Sequence, residues 1–154
     1  MSGIRYLEDF TVGEVSAFGR YEVREDELLE FAREFDDQPF HTDPEAARQS
    51  LYGGLIASGW QTCAMMMRML VDNRAQDGGS AILGSPGFDG LRWLKPVRPG
   101  DILSVRSEVL EVTPSRGKPD RGSIRALNQV LNQHGEVVAE LTSIGIMLRR
   151  PASG

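Results

Sequence analysis

The chain is expected to adopt an α+β fold, with helices segregated from an antiparallel sheet. Two observations carry this. Apolar residues recur at helical spacing through the first half of the chain, and the second half alternates in short strand-like runs. Gly- and Ser-rich turns separate those runs at meander spacing, which implies antiparallel pairing. A long apolar helix beside one sheet further implies a curved antiparallel sheet wrapped around a long buried central helix.

Gly13 and Gly19 flank a short segment that the pattern leaves ambiguous. Residues 25–36 (EDELLEFAREFD) read as a helix. Leu28, Leu29, Phe31, Ala32 and Phe35 share a face, and acidic residues in the first turn suit the helix dipole. Pro39 is expected to stop it. A short helix follows over 43–49, with Asp43 as N-cap and Pro44 at the first helical position; Thr42 with Glu45 is a competing capping box. The segment 55–73 is apolar almost all round as far as Arg68, the mark of a helix buried on most sides. Ser58 and Gln61 match a capping box and put its start at Gly59. Strands are expected over 88–96, 102–112, 123–132 and 136–150. Leu103, Val105 and Val109 share one face, as do Ile144, Ile146 and Leu148. Turns fall at 77–80, 84–87, 97–101, 113–122 and 132–136.

A length of 154 residues suits a single domain, 1–154, with a core of useful size. The net charge of −5 argues against nucleic-acid binding, which wants a basic patch. No apolar run approaches the roughly 20 residues of a membrane span. One cysteine, Cys63, rules out an intrachain disulfide, and with no signal-like start it points to a cytoplasmic location. Two histidines and one cysteine offer no metal-ligand spacing.

Against that background, 36-DDQPFH-41 stands out, because it places one of only two histidines five residues after Asp36. With 43-DPEAA-47 and 56-IASG-59 it resembles the MaoC-like (R)-specific enoyl-CoA hydratase and acyl dehydratase family. Asp36, Pro39 and His41 match the family signature in register, and Gly59 falls at its spacing from the histidine. The run 91-LRWLKPVRPGD-101 resembles the family's strand and turn. Three positions depart from the pattern: Gln38 stands for Asn, Ser58 for His, and Met67 for a serine that some hydratases carry near the catalytic aspartate. The resemblance implies a hot-dog fold, a homodimer or dimer of dimers, and an acyl-CoA thioester as substrate in a tunnel near the subunit interface. The implied reaction is reversible addition of water to a trans-2-enoyl-CoA, giving a 3-hydroxyacyl-CoA. Coenzyme A belongs to the substrate, and no separate cofactor is implied.

Hydration needs a base for water, a proton for C2, and stabilisation of charge on the thioester oxygen. Asp36 and His41, brought together by a bend that Pro39 keeps non-helical, are expected to supply the first two. A free N–H of Gly59 at the helix start is expected to supply the third, with Ser58 capping the N–H of Trp60 or Gln61. Gln38, Pro39, Phe40, Ser58 and Trp60 are the expected substrate-binding positions. Arg116, Lys118 and Arg121 are candidates for the CoA phosphates, although a solvated loop is the better explanation of them. Asp37 and His134 read as solvated, and Cys63 with Met65, Met66, Met67 and Met69 as core. Two other functions fit the same residues: a hot-dog thioesterase, and a non-catalytic acyl-CoA-binding partner subunit.

Overall fold

The structure is a computed structural model that describes residues 3–76 and 78–152. Five strands form one antiparallel sheet: β1 (Val15–Glu22), β2 (Ile82–Trp93), β3 (Ile102–Pro114), β4 (Arg121–Leu131) and β5 (Val137–Leu148). Their order is β1-β3-β4-β5-β2. The last three strands form the expected meander, and β2 returns to pair with β5 at the edge. Four helices lie between β1 and β2: α1 (Glu25–Phe35), α2 (Pro39–Thr42), α3 (Pro44–Gln49) and α4 (Gly59–Gln76).

Helix α4 packs one face on the sheet. Gln61, Thr62, Met65, Met66, Met69 and Leu70 are buried, a spacing of one helical stripe. Met65, Met66, Met69 and Leu70 share one core with Leu103 and Val105 of β3, Val130 of β4 and Val138 and Leu141 of β5. Leu28 of α1 joins the same core and is fully buried. Gly19 of β1 lets α4 come close: its φ is +89°, and an added Cβ would sit 2.6 Å from the Met69 sulfur. Ala57 and Val97 also belong to this core, which anchors the two loops that carry the candidate site.

Several expectations change. The ambiguous stretch after Gly13 is strand β1, so a strand precedes the helices. A bulge between Phe18 and Tyr21 breaks its alternation and hides it from a period-2 reading. The stretch 84–87 is not a turn but part of β2, whose pairing with β5 shifts register three times. Of the expected turn at 77–80, Asp77 lies outside the described residues. Helix α4 is not buried on most sides in the single chain, for Trp60, Met67 and Val71 are 56%, 48% and 40% exposed along its outer stripe. Met67 is therefore not core. Ile144, Ile146 and Leu148 do share a face, but they are only half-buried, and Ala139, Leu141 and Met147 are buried on the other face. Asp43 caps α3 by accepting from the N–H groups of Glu45 and Ala46 at 3.0 and 3.2 Å. Thr42 instead donates its hydroxyl to the Gln38 carbonyl.

Candidate active site

The chain breaks at 36–38 and then resumes a helix. Asp36 ends α1 with its N–H still on the Ala32 carbonyl, and Gln38 N–H bonds back to the Asp36 carbonyl at 2.8 Å. Pro39 then opens α2 as its first residue, where a missing N–H costs nothing. The expectation that Pro39 keeps this segment non-helical is thus corrected: the bend lies just before the proline, and His41 sits on one further helical turn. Pro39 itself is exposed and does not face the cleft described below.

Four side chains meet here. His41 is 6% exposed and Asp36 18%, with His41 Nε2 3.4 Å from Asp36 Oδ2. On its other side His41 Nδ1 lies 2.7 Å from the Ile56 carbonyl. A carbonyl only accepts, so Nδ1 carries a proton toward Ile56, and Nε2 is the nitrogen that faces Asp36. Asp36 is gripped from two sides. Gln38 Nε2 donates to Oδ1 at 2.5 Å, and Ser58 Oγ donates to Oδ2 at 2.7 Å. Burial works against the charged carboxylate, but the bonds from Gln38 and Ser58, together with His41, outweigh it and hold the carboxyl below its ordinary value.

Ser58 therefore does not cap α4 with its hydroxyl. It is fully buried behind Asp36 and does not line the cleft, so its expected substrate contact is replaced by a hold on the carboxylate. The reciprocal half of the capping box is missing as well, because Gln61 Oε1 is buried without a partner. Nor is Met67 near Asp36 by role: the hydroxyl on the aspartate comes from Ser58.

Gly59 begins α4 as expected, and its N–H meets no acceptor among the described residues. The need for glycine has a second cause beyond access. A Cβ at position 59 would lie 2.3 Å from Cε2 of Trp93, and Trp93 Nε1 donates to the Gly59 carbonyl at 3.0 Å. Trp60 packs edge-on against the same indole, with ring centroids 5.3 Å apart.

These groups open on a cleft of ≈ 440 Å³ lined by Asp36, Gln38, Phe40, His41, Gly59 and Trp60. Phe40 stacks edge-on to His41 at 4.5 Å and holds one side. Tyr52, Trp93 and Lys95 also line it and carry no mark as site residues in the sequence. The signal for Trp93 and Lys95 lay in the run 91–101; Tyr52 had none. The Lys95 ammonium is paired with Glu136. The 115–120 turn bearing Arg116 and Lys118 joins β3 to β4 at the Leu148 end of β5, whereas Trp93 pairs near the start of β5, at Ala139. Within one chain these cations are therefore at the far end of the sheet from the cleft. His134 and Asp37 are exposed as expected.

A carboxylate and an imidazole nitrogen facing one cleft, with a free helix-start N–H beside them, can bind a water, move its proton and stabilise a nearby oxyanion. The comparisons with known proteins show the family. Residues 10–128 match the MaoC-like domain family, and the chain belongs to that family. The crystal structure of a MaoC-like dehydratase from Rhodospirillum rubrum superposes with a TM-score of 0.86 at 45% identity, covering 96% of this chain and 99% of that one. The fold is thus the hot-dog fold. YdeM of Bacillus subtilis is 31% identical over 94% of this chain and 99% of its own length. The 3-hydroxybutyryl-CoA dehydratase of Methylorubrum extorquens is 29% identical over 73% of this chain and 69% of its own length. Among the described residues, no helix is long and apolar enough to cross a membrane.

One prediction arises from the grip on Asp36. Ser58→Ala removes a hydrogen bond that favours the carboxylate, so the Asp36 pKa rises toward its unfolded value of about 3.9. A depressed carboxyl contributes stability above the unfolded pKa and loses it as pH falls through the folded one. The variant should therefore melt lower than the parent near neutral pH, with the gap closing at acid pH. Melting curves across that range check it.

Proposed function

We propose that the protein is a hydratase/dehydratase acting on a trans-2-enoyl-CoA thioester to give a 3-hydroxyacyl-CoA. The observation that carries the reading is the Asp36–His41 pair, 3.4 Å apart, beside a Gly59 N–H that meets no acceptor among the described residues. Support for the thioester class comes from the similarity to a 3-hydroxybutyryl-CoA dehydratase.

Asp36, held ionised, accepts one hydrogen of a water, and His41 Nε2 accepts the other. As the water oxygen bonds to C3, its proton passes to Nε2 and the double-bond electrons move onto the thioester oxygen. The Gly59 N–H and the N-terminal dipole of α4 stabilise that enolate. The imidazolium, stabilised by Asp36, then returns a proton to C2 on the same face. Dehydration is the reverse.

Crotonyl-CoA tests the reading, with enoyl absorbance and free thiol followed separately. Loss of enoyl signal without thiol release is expected. Thiol release would instead make the protein a thioesterase, and no change in either would make it a binding subunit.

The working assembly in this reading is a homodimer. The outer stripe of α4 (Trp60, Met67, Val71) and the edge strand β2, with Leu83, Phe88 and Trp93, are exposed apolar surface beside the cleft. An edge strand and an apolar patch of this kind call for a cover, and a second copy related by two-fold symmetry is the commonest one. Strand β3 is not part of this surface, since it lies between β1 and β4. Light scattering should give twice the 17.0 kDa chain mass; a monomer at all concentrations would contradict it.

A further inference from the structure

The inner face of the sheet carries two apolar clusters. One lies under α4; the other, Leu7, Val109, Ile124 and Met147, lies under the N-terminal segment. Between them runs a polar row. Ser16 of β1 is in register with Ser107 of β3, and Ser107 with Asn128 of β4. Asn128 Nδ2 continues the row to Ser143 Oγ of β5 at 2.8 Å. The neighbouring inward positions on the same strands, Val105 and Val109 on β3 and Ile124 and Val130 on β4, are buried and apolar. Alternation alone would fill the row with the same kind of residue. Placing hydroxyls and an amide there costs free energy unless each finds a partner.

Not all of them do. The row faces a cavity of ≈ 130 Å³, distinct from the cleft and walled on its other sides by Arg74 of α4 and by Ser80. That is room for several water-sized groups. Asn128 is 2% exposed. Its amide nitrogen also reaches the Ala126 carbonyl, which fixes the amide's orientation because a carbonyl only accepts. Its Oδ1 receives no hydrogen bond from any described residue. Ser80 Oγ is buried without a partner. Arg74 pairs with no carboxylate among the described residues, and burial pushes its guanidinium below its ordinary value. The other charges on the wall cancel, since Arg5 and Glu14 pair at 2.9 Å. The cavity thus offers a cation and a hydroxyl on one side and an unused acceptor on the other.

We infer that this cavity is a binding site for a short hydroxy acid: its carboxylate lies on Arg74 and Ser80, and its hydroxyl donates to Asn128 Oδ1. The Asn128 acceptor excludes a plain carboxylate as the best ligand, and Arg74 excludes a neutral alcohol. The site is separate from the reacting centre, because Arg74 lies fifteen residues beyond Gly59 on α4, about 22 Å along the axis. A short acyl chain held at Gly59 does not reach it.

Calorimetric titration of the full chain with 3-hydroxybutyrate, butyrate and butane-1,3-diol tests the inference. The hydroxy acid should bind saturably with a dissociation constant of about 1 mM, and the two controls about tenfold or more weaker. Arg74→Met should lose about tenfold in affinity while leaving kcat and KM for crotonyl-CoA unchanged. Ser107→Leu, which fills the cavity from β3, should abolish the heat and serves as the second arm if Arg74→Met does not fold. Three results would overturn the site: no saturable heat with the parent chain, which means a water-filled void; equal affinity in a folded variant; or competition between the acid and crotonyl-CoA, which puts the acid in the cleft. None of them depends on whether crotonyl-CoA is hydrated.

Discussion

Asp36→Asn and His41→Ala should each lower kcat for enoyl-CoA hydration by roughly 10²–10⁴, the usual loss for a general acid or base. The two variants differ in what else they disturb. Asn at 36 keeps one oxygen, which accepts from Ser58 or from Gln38 but not from both, and the negative charge beside His41 is gone. Ala at 41 removes a nearly buried ring and leaves the Ile56 carbonyl without its donor, which costs about 1–3 kcal/mol of stability. Single-turnover rates on the folded protein, with melting curves alongside, separate the effects. Near-parent turnover in either variant would remove that residue from the chemistry.

Gly59→Ala should be nearly as damaging, and for a steric reason. Its Cβ would stand 2.3 Å from the Trp93 ring, so either the indole or the first turn of α4 must move. Both border the cleft, and displacing an oxyanion donor costs about 10²–10³ in rate. Pairing Gly59→Ala with Trp93→Ala separates the two causes. If the clash is responsible, the double variant recovers turnover relative to Gly59→Ala alone. No recovery would mean that the methyl itself blocks the thioester oxygen.

The parts of the site legible in the sequence were those with local spacing. The turn 36–41 and the glycine that opens α4 could be read because Asp36, Pro39, His41 and Gly59 form a motif. What held them could not be read so easily. Ser58 has the residue type and spacing of a helix cap, and only three-dimensional proximity turns its hydroxyl toward a carboxylate 22 residues earlier. Trp93 lies 34 residues beyond Gly59, and nothing local marks it as the ring that fills the glycine's empty side. Helix α4 was misread for a related reason. Hydropathy cannot tell a stripe covered by the chain's own sheet from one left bare, so Met65 and Met67 look alike in sequence and differ in burial. Glycines and a proline hid the first half of β2, since those residues ordinarily mark turns and here sit in a strand bulged against β5.

The cleft is assembled from three stretches far apart in the chain. Asp36 and His41 come from the α1–α2 junction, Ile56 to Gly59 from the approach to α4, and Trp93 to Val97 from the end of β2. What locks them together is non-local: Trp93 pairs with Ala139 across the sheet, and the Ala57 N–H bonds to the Val97 carbonyl. Contacts of such long sequence separation close late, after the entropy of the intervening loops has been surrendered. During folding the helices and the β3–β4 hairpin can form from local contacts while the groups of the cleft are still apart. A chain caught at that stage would have most of its secondary structure and no assembled cleft, so the cleft is expected to form late and to be lost early when the β2 edge frays.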